Sequence, residues 1–202
     1  MSNSTVQFKP GTSAFHIKGN SYRGYFKFFA SICTAKLVDQ LPTEDLRIFA
    51  SQQFLPSSWY DFFPYVAICR AAARTTHEGY AEHIQRATRW QFKNDLNGIY
   101  RAILSVAGPR FVAGRVVQMT SSYFDFGHAQ PLHSDANSFE AARFGMPHNM
   151  VEWYTHVSNA YLEEAVGAAG GKNPKSEVTG VDDEGESHGV AIKTVRFKVR
   201  WE

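Results

Sequence analysis

The stretch NMVEWYTHVSNAYLEEAVGAAGGKNPKSEVTGVDDEGESHGVAIKTVRFKVRW, residues 149–201, decides the fold. Its first part spaces Met150, Trp153, Tyr154, Val157, Tyr161 and Ala165 at steps of three and four. In a helix these side chains form one apolar stripe. Asn149 with Glu152 predicts a capping box at the helix start, and Gly170-Gly171 predicts its end. The last part alternates Val195, Phe197, Val199 and Trp201 with Thr194, Arg196, Lys198 and Arg200. Side chains on a strand point to opposite faces in turn, so one face is apolar and the other cationic. Lys175 to Val181 is expected to pair with Val190 to Trp201 as a hairpin, joined by an acidic, flexible connection from Asp182 to Gly189. A one-sided helix and a one-sided sheet leave water by packing on each other. The expectation is an α+β fold. An antiparallel sheet of about four or five strands packs against several helices, and the chain closes with a helix and a C-terminal β-hairpin.

Toward the N-terminus, Met1 to Ser13 is rich in Ser, Asn, Thr, Pro and Gly and reads as a flexible tail. Ala14 to Lys18 predicts a short strand, and a helix is expected to follow over Ser21–Gln40. Pro42-Thr43-Glu44 predicts a break and a new helix start. Ser58 is the expected N-cap of the next helix, with Asp61 completing a weak capping box. His77 to Asp95 reads as a more polar helix with Tyr80, Ile84, Ala87 and Gln91 on one side, continuing over Leu96–Val106 after a kink at Asn97-Gly98. Gly108-Pro109 opens another helix, with proline in the first-position role. Asp125 to Arg143 predicts two short strands with an irregular link, ended by Phe144-Gly145-Met146-Pro147. With no internal repeat and no central linker, residues 14–202 are expected to form a single ligand-binding-like domain behind the tail of residues 1–13.

The 202 residues can bury a substantial core, and 44% apolar with 20% charged residues is the composition of an ordinary globular protein. A net charge of +2 lacks the concentrated basic surface that nucleic acid requires. The polar start carries no secretory signal, and the most apolar helix, around Phe62 to Ala73, contains Arg70 and is too short to span a bilayer. The expected location is cytoplasmic. Cys33 and Cys69 sit in apolar helical patterns as small hydrophobes. The aromatic share of 14% fills cores and can also line apolar pockets.

Several short signals recur in order along the chain. They are Leu55-Pro56-Ser57-Ser58-Trp59-Tyr60, Asn97-Gly98-Ile99-Tyr100, Gly108-Pro109-Arg110 with Tyr123, and the closing Phe197-Lys198-Val199-Arg200-Trp201. This order resembles an uncharacterised paralogous family of myxobacterial proteins over nearly the whole chain. More distantly, the C-terminal helix and hairpin resemble the four-vinyl-reductase type of small-molecule-binding domain, which is related in fold to haem–nitric-oxide-binding domains and to TRAPP-type vesicle-tethering subunits. The resemblance implies a ligand-binding fold, with two departures. The closing hairpin, Glu177 to Trp201, has no cysteine. The axial histidine and Tyr-x-Ser-x-Arg clamp of the haem-binding relatives are not found, which leaves only His77 or His83 without a clamp. No cofactor is assigned, and no catalytic residue carries over.

Among chemistry-capable residues, Asp125, His128, His133, Asp135, His148 and His156 are the densest group, but their intervals match no zinc spacing. His133-Ser134-Asp135 holds the residue types of a nucleophilic triad, yet sequence neighbours cannot nest their hydrogen bonds and no nucleophile elbow exists. The candidates for an apolar pocket are Tyr25, Phe29, Tyr60, Phe63, Tyr100, Trp153, Tyr154, Val157 and Tyr161. Arg196, Lys198 and Arg200 are candidates for an anionic partner, against the plainer reading of a charged, solvated sheet face. The functional expectation is a non-enzymatic small-molecule-binding or sensor domain that signals through a partner protein and forms a homodimer. The alternative is a structural adaptor acting through protein contacts. A weaker alternative is a metal-dependent enzyme using His128, His133, His148 and His156.

Overall fold

A carboxylate in the interior needs donors, and Asp61 collects them from three residues in two parts of the chain. It accepts from the backbone N–H of Gly11 at 2.9 Å, from the N–H and hydroxyl of Ser13 at 3.1 and 2.5 Å, and from the N–H of Phe63 at 3.0 Å. The computed structural model describes residues 8–95 and 107–202. In it Asp61 is itself the N-cap of helix α3, Phe62–Thr75. Ser58 does not cap, because the residues after it form strand β2, Trp59–Asp61, antiparallel to β1, His16–Lys18. The same carboxylate ties down Gly11 and buries Ser13, so that end of the expected tail is docked.

Helix α1 runs Gly19–Ile32 rather than on to Gln40. Cys33 turns extended with its N–H on Phe29 O, and a 3-10 turn, Leu37–Gln40, then carries Leu37 and Leu41 into the core. Helix α2, Glu44–Ala50, starts where predicted, with the Thr43 hydroxyl accepting from Leu46 N–H at 3.3 Å. Helix α4 is Tyr80–Asp95, and α5 is Pro109–Met119 with Gly108 as N-cap and proline in its first turn. The expected kink at Asn97-Gly98 and the helix over residues 96–106 lie outside the described residues.

Helix α6, Val151–Ala168, is the predicted long helix. Its capping box does not form. Asn149 lies in a 3-10 turn, His148–Met150, and Glu152 reaches across to Arg70 at 2.5 Å. The C-terminus ends as expected, with Gly170 at φ 94° and Gly171 N–H returning to Val166 O at 3.0 Å.

The main sheet is antiparallel in the order β3-β4-β6-β5, from β3, His128–Ser134, β4, Ser138–Pro147, β5, Lys175–Ser187, and β6, Val190–Arg200. Alternation holds along β6, where Val195, Phe197 and Val199 are buried. Two expectations are corrected here. The acidic segment after Val181 is strand, not a flexible connection: β5 continues to Ser187, and His188-Gly189 alone make the turn, with φ 51° and 75°. An edge strand can leave both faces wet, and its acids find partners across the ladder, Asp183 on Lys193 and Glu184 on the Thr194 hydroxyl. Likewise Phe144 to Pro147 does not end β4 but continues it through a bulge between Arg143 and Met146.

Helix α6 fills the middle, packed on α4 and α5 on one side and on β5 and β6 on the other. The aromatic core crosses this seam: Phe62 meets Trp153 edge-on at 5.0 Å and Phe124 at 5.5 Å. No helix among the described residues is long and apolar enough to cross a membrane.

Candidate functional site

Close packing normally leaves few voids larger than water, so a void at the seam between helices and sheet is informative. A cavity of about 150 Å³ lies there. Helix α4 presents Ile84, Ala87, Thr88 and Gln91 to it, and α6 presents Tyr154, Val157, Ser158 and Tyr161. Both sets follow the three-and-four spacing of one helical face. Tyr25 of α1, Tyr65 of α3, Val116 and Val117 of α5, Trp153 and Phe197 close the remaining sides. The wall reaches the surface at Asn20 and Met119, both exposed.

No Asp, Glu, Lys, Arg, His or Cys is among the described residues of the wall. Several of its hydroxyls are turned onto their own helices. Thr88 donates to Ile84 O and Thr120 to Val117 O, each at 2.8 Å, and Ser158 donates to Tyr154 O. Burial raises the pKa of Tyr25 and Tyr65 far above that of a free phenol and pushes Tyr154 up to about 12, against a smaller lowering by Arg143. The wall is therefore uncharged and mostly apolar.

Behind it runs a chain of hydrogen bonds. Tyr25 OH lies 2.7 Å from His83 Nε2, His83 Nδ1 lies 2.8 Å from Glu78, and Glu78 pairs with Arg86 at 2.5 Å. His83 is fully buried, and desolvation holds its pKa below that of free imidazole despite Glu78. Cys69, also buried, has its thiol pushed up by desolvation and is not poised for nucleophilic chemistry.

The structure brings five of the pocket candidates to the cavity: Tyr25, Trp153, Tyr154, Val157 and Tyr161. Phe29 is buried in the core elsewhere. Tyr60 lies off the wall, its hydroxyl accepting from Leu55 N–H at 2.8 Å, and Phe63 packs on Phe8 and Phe15. Tyr100 lies outside the described residues. Each cation of the β6 stripe faces a carboxylate of its own chain: Arg196 with Asp182 at 2.7 Å, Lys198 with Glu140 at 2.5 Å, and Arg200 with Glu177 at 2.7 Å. Among the described residues no three His, Cys, Asp or Glu side chains gather as a metal site. His128 stacks on Phe144, His133 pairs with Asp135 at 3.5 Å, and His156 meets the edge of Tyr80.

Sequence reasoning missed Arg143. Its guanidinium is fully buried between Phe124 and Phe126, at 5.3 and 5.4 Å from the ring centres. Nη2 donates to Phe126 O at 2.5 Å, while Nε and Nη1 have no partner among the described residues. Desolvation lowers its pKa. The available signal was parity, since Arg143 shares the inward face of β4 with Phe139 and Ala141.

No protein-family model matches this sequence. No curated protein matches it either. Among solved structures the chain is similar to H-NOX proteins. The Fe(II) unliganded H-NOX protein from K. algicida superposes with a TM-score of 0.61 at 12% identity, over 92% of this chain and 97% of that one. A point mutant of T. Tengcongensis H-NOX gives 0.60 at 11%, over 92% and 98%. An oxygen-binding H-NOX domain related to soluble guanylate cyclases, in its oxygen complex, gives 0.58 at 9%, over 91% and 92%. At these identities the likeness establishes the fold alone.

Another of the similar H-NOX structures concerns haem distortion, which makes haem the group for these residues to fit. They do not fit it. The described wall offers no imidazole or thiolate to iron, its thioether, Met119, is exposed at the mouth, burial keeps the phenols of Tyr25, Tyr65 and Tyr154 protonated, and residues 96–106 contain no His, Cys or Met. At the spacing of the Tyr-x-Ser-x-Arg clamp, β4 carries Phe139-x-Ala141-x-Arg143, with both hydroxyls missing. A cavity of about 150 Å³ matches benzene or xenon in size, not a porphyrin.

Proposed function

We propose that this chain is a non-enzymatic small-molecule-binding sensor domain that passes its signal to a partner protein. The observation that carries this reading is the uncharged cavity of about 150 Å³ at the seam of helices and sheet. The fold supports it, because an oxygen-binding H-NOX domain in its oxygen complex shares this architecture. The described wall contains no thiol, lysine or carboxylate, and the hydroxyl of Tyr25, though bonded to His83, is held protonated by burial, which favours binding over turnover. The pocket residues are Tyr25, Trp153, Tyr154, Val157 and Tyr161, and Tyr25 links their occupancy to Arg86 at the surface through His83 and Glu78. The partner is a second copy of the chain or another protein.

Native mass spectrometry of the protein purified without added ligand, followed by the same sample denatured, tests this reading. A mass excess that vanishes on denaturation is the expected result. A bare mass that also stays bare after exposure to xenon and small apolar molecules would overturn it in favour of an adaptor.

A further inference from the structure

Resting on the cavity reading above, we infer that this H-NOX-like fold is a haem-free site for an uncharged, apolar molecule of about benzene size. Size comes first. About 150 Å³ is the volume of a protein cavity that admits benzene or xenon, whereas drug-sized ligands occupy roughly 300 Å³ or more. Charge comes second. An ionised group entering this wall would leave water and meet no counter-charge, since the described lining holds no acid, no base and no histidine. The nearby cation, Arg143, is not itself in the wall and packs on the ring of Phe124, which is. Third, the hydroxyls of Thr88, Thr120 and Ser158 have already given their protons to backbone carbonyls, so they can accept but not donate. This part of the wall can accept from a ligand's donor but offers its acceptors no proton. The aromatic rings of Trp153, Tyr154 and Phe197 in the wall favour an aromatic ligand over a branched aliphatic one. Asn20 and Met119 mark the way in.

The experiment titrates the intact chain with toluene, with the isosteric ions benzoate and benzylammonium, and with hemin. It reads melting temperature, the NMR methyl signals of Ile84, Val117 and Leu162, and the Soret band. Toluene is expected to raise the melting temperature and move those three methyl signals. Benzoate and benzylammonium are expected to bind at least ~100-fold more weakly. Hemin is expected to give no one-to-one Soret species that toluene displaces. Two filling variants, Ala87→Leu and Val157→Phe, are expected to weaken toluene at least ~10-fold while melting cooperatively. If one of them fails to fold, the other and the probes on the unmodified chain still decide. Benzoate or benzylammonium binding as tightly as toluene, or a hemin complex that toluene displaces, would overturn the ligand class yet leave the cavity as a binding site. No binding by any probe would overturn the cavity reading itself.

Discussion

The hydroxyl of Tyr25 donates to Nε2 of His83 at 2.7 Å, joining a side chain of the cavity wall to a buried imidazole. The direction follows from the far side of the ring. The carboxylate of Glu78 can only accept, so the proton of the neutral imidazole sits on Nδ1 and Nε2 is left as an acceptor. A shift of Tyr25 on ligand entry must therefore be felt at His83 and Glu78.

Tyr25→Phe keeps the ring in the wall but leaves Nε2 of His83 buried without a donor. The expected loss is about 1–3 kcal/mol of stability, measured by urea unfolding. An unchanged midpoint would mean that the bond contributes nothing.

Acid should weaken the fold in a defined window. His83 is held below the usual imidazole value chiefly by burial, and His156 is shifted the same way by the same cause. An unfolded histidine titrates near about 6.5, so below that pH the unfolded chain binds protons that the folded chain refuses. The stability is complete above that value and is lost as pH falls through the depressed folded pKa. Urea midpoints measured from pH 8 to pH 5 should be flat at first and then fall, and His83→Gln should flatten part of the fall. A midpoint that rises on acidification would contradict the assignment.

Arg143 points the other way. Two of its nitrogens are buried without a partner among the described residues, and each such group costs about 1–3 kcal/mol, more than its single bond to Phe126 O returns. Arg143→Met keeps a long side chain among Phe124 and Phe126 and removes the orphaned donors. The expected result is a gain of about 1–3 kcal/mol in chemical denaturation. A clear loss would show that the guanidinium is satisfied in solution.

Gly127 and Gly145 let β3 and the bulged part of β4 approach. Gly127 has φ 55°, and a Cβ there would stand 2.1 Å from the carbonyl oxygen of Phe144. Gly127→Ala should cost about 1–3 kcal/mol and speed amide exchange at the start of β3. Gly170→Ala, with φ 94° but open space around it, should cost less, about 1 kcal/mol. Equal losses would mean that conformation, not contact, sets both.

Periodic segments were legible because burial of one face imposes a period. The stripe of α6 and the alternation of β6 identified helix, hairpin and fold class directly. Asp182 to Ser187 was not legible. Its residues are polar on both faces, and it became strand through cross-strand partners on β6. Asp61 was misassigned for a similar reason, since its donors at Gly11 and Ser13 lie some 50 positions away.

The sequence by itself determined which faces must be buried, and hence the α+β architecture, because hydrophobic patterning acts locally along each element. It also placed Tyr25, Trp153, Tyr154, Val157 and Tyr161 on inward faces. Only the tertiary structure decided that these five share one void while Phe29, Tyr60 and Phe63 do not, and that no charge enters its described wall. A cavity is what packing leaves unfilled between α1, α4, α5 and α6, and no single helix's period records how well its neighbours meet it.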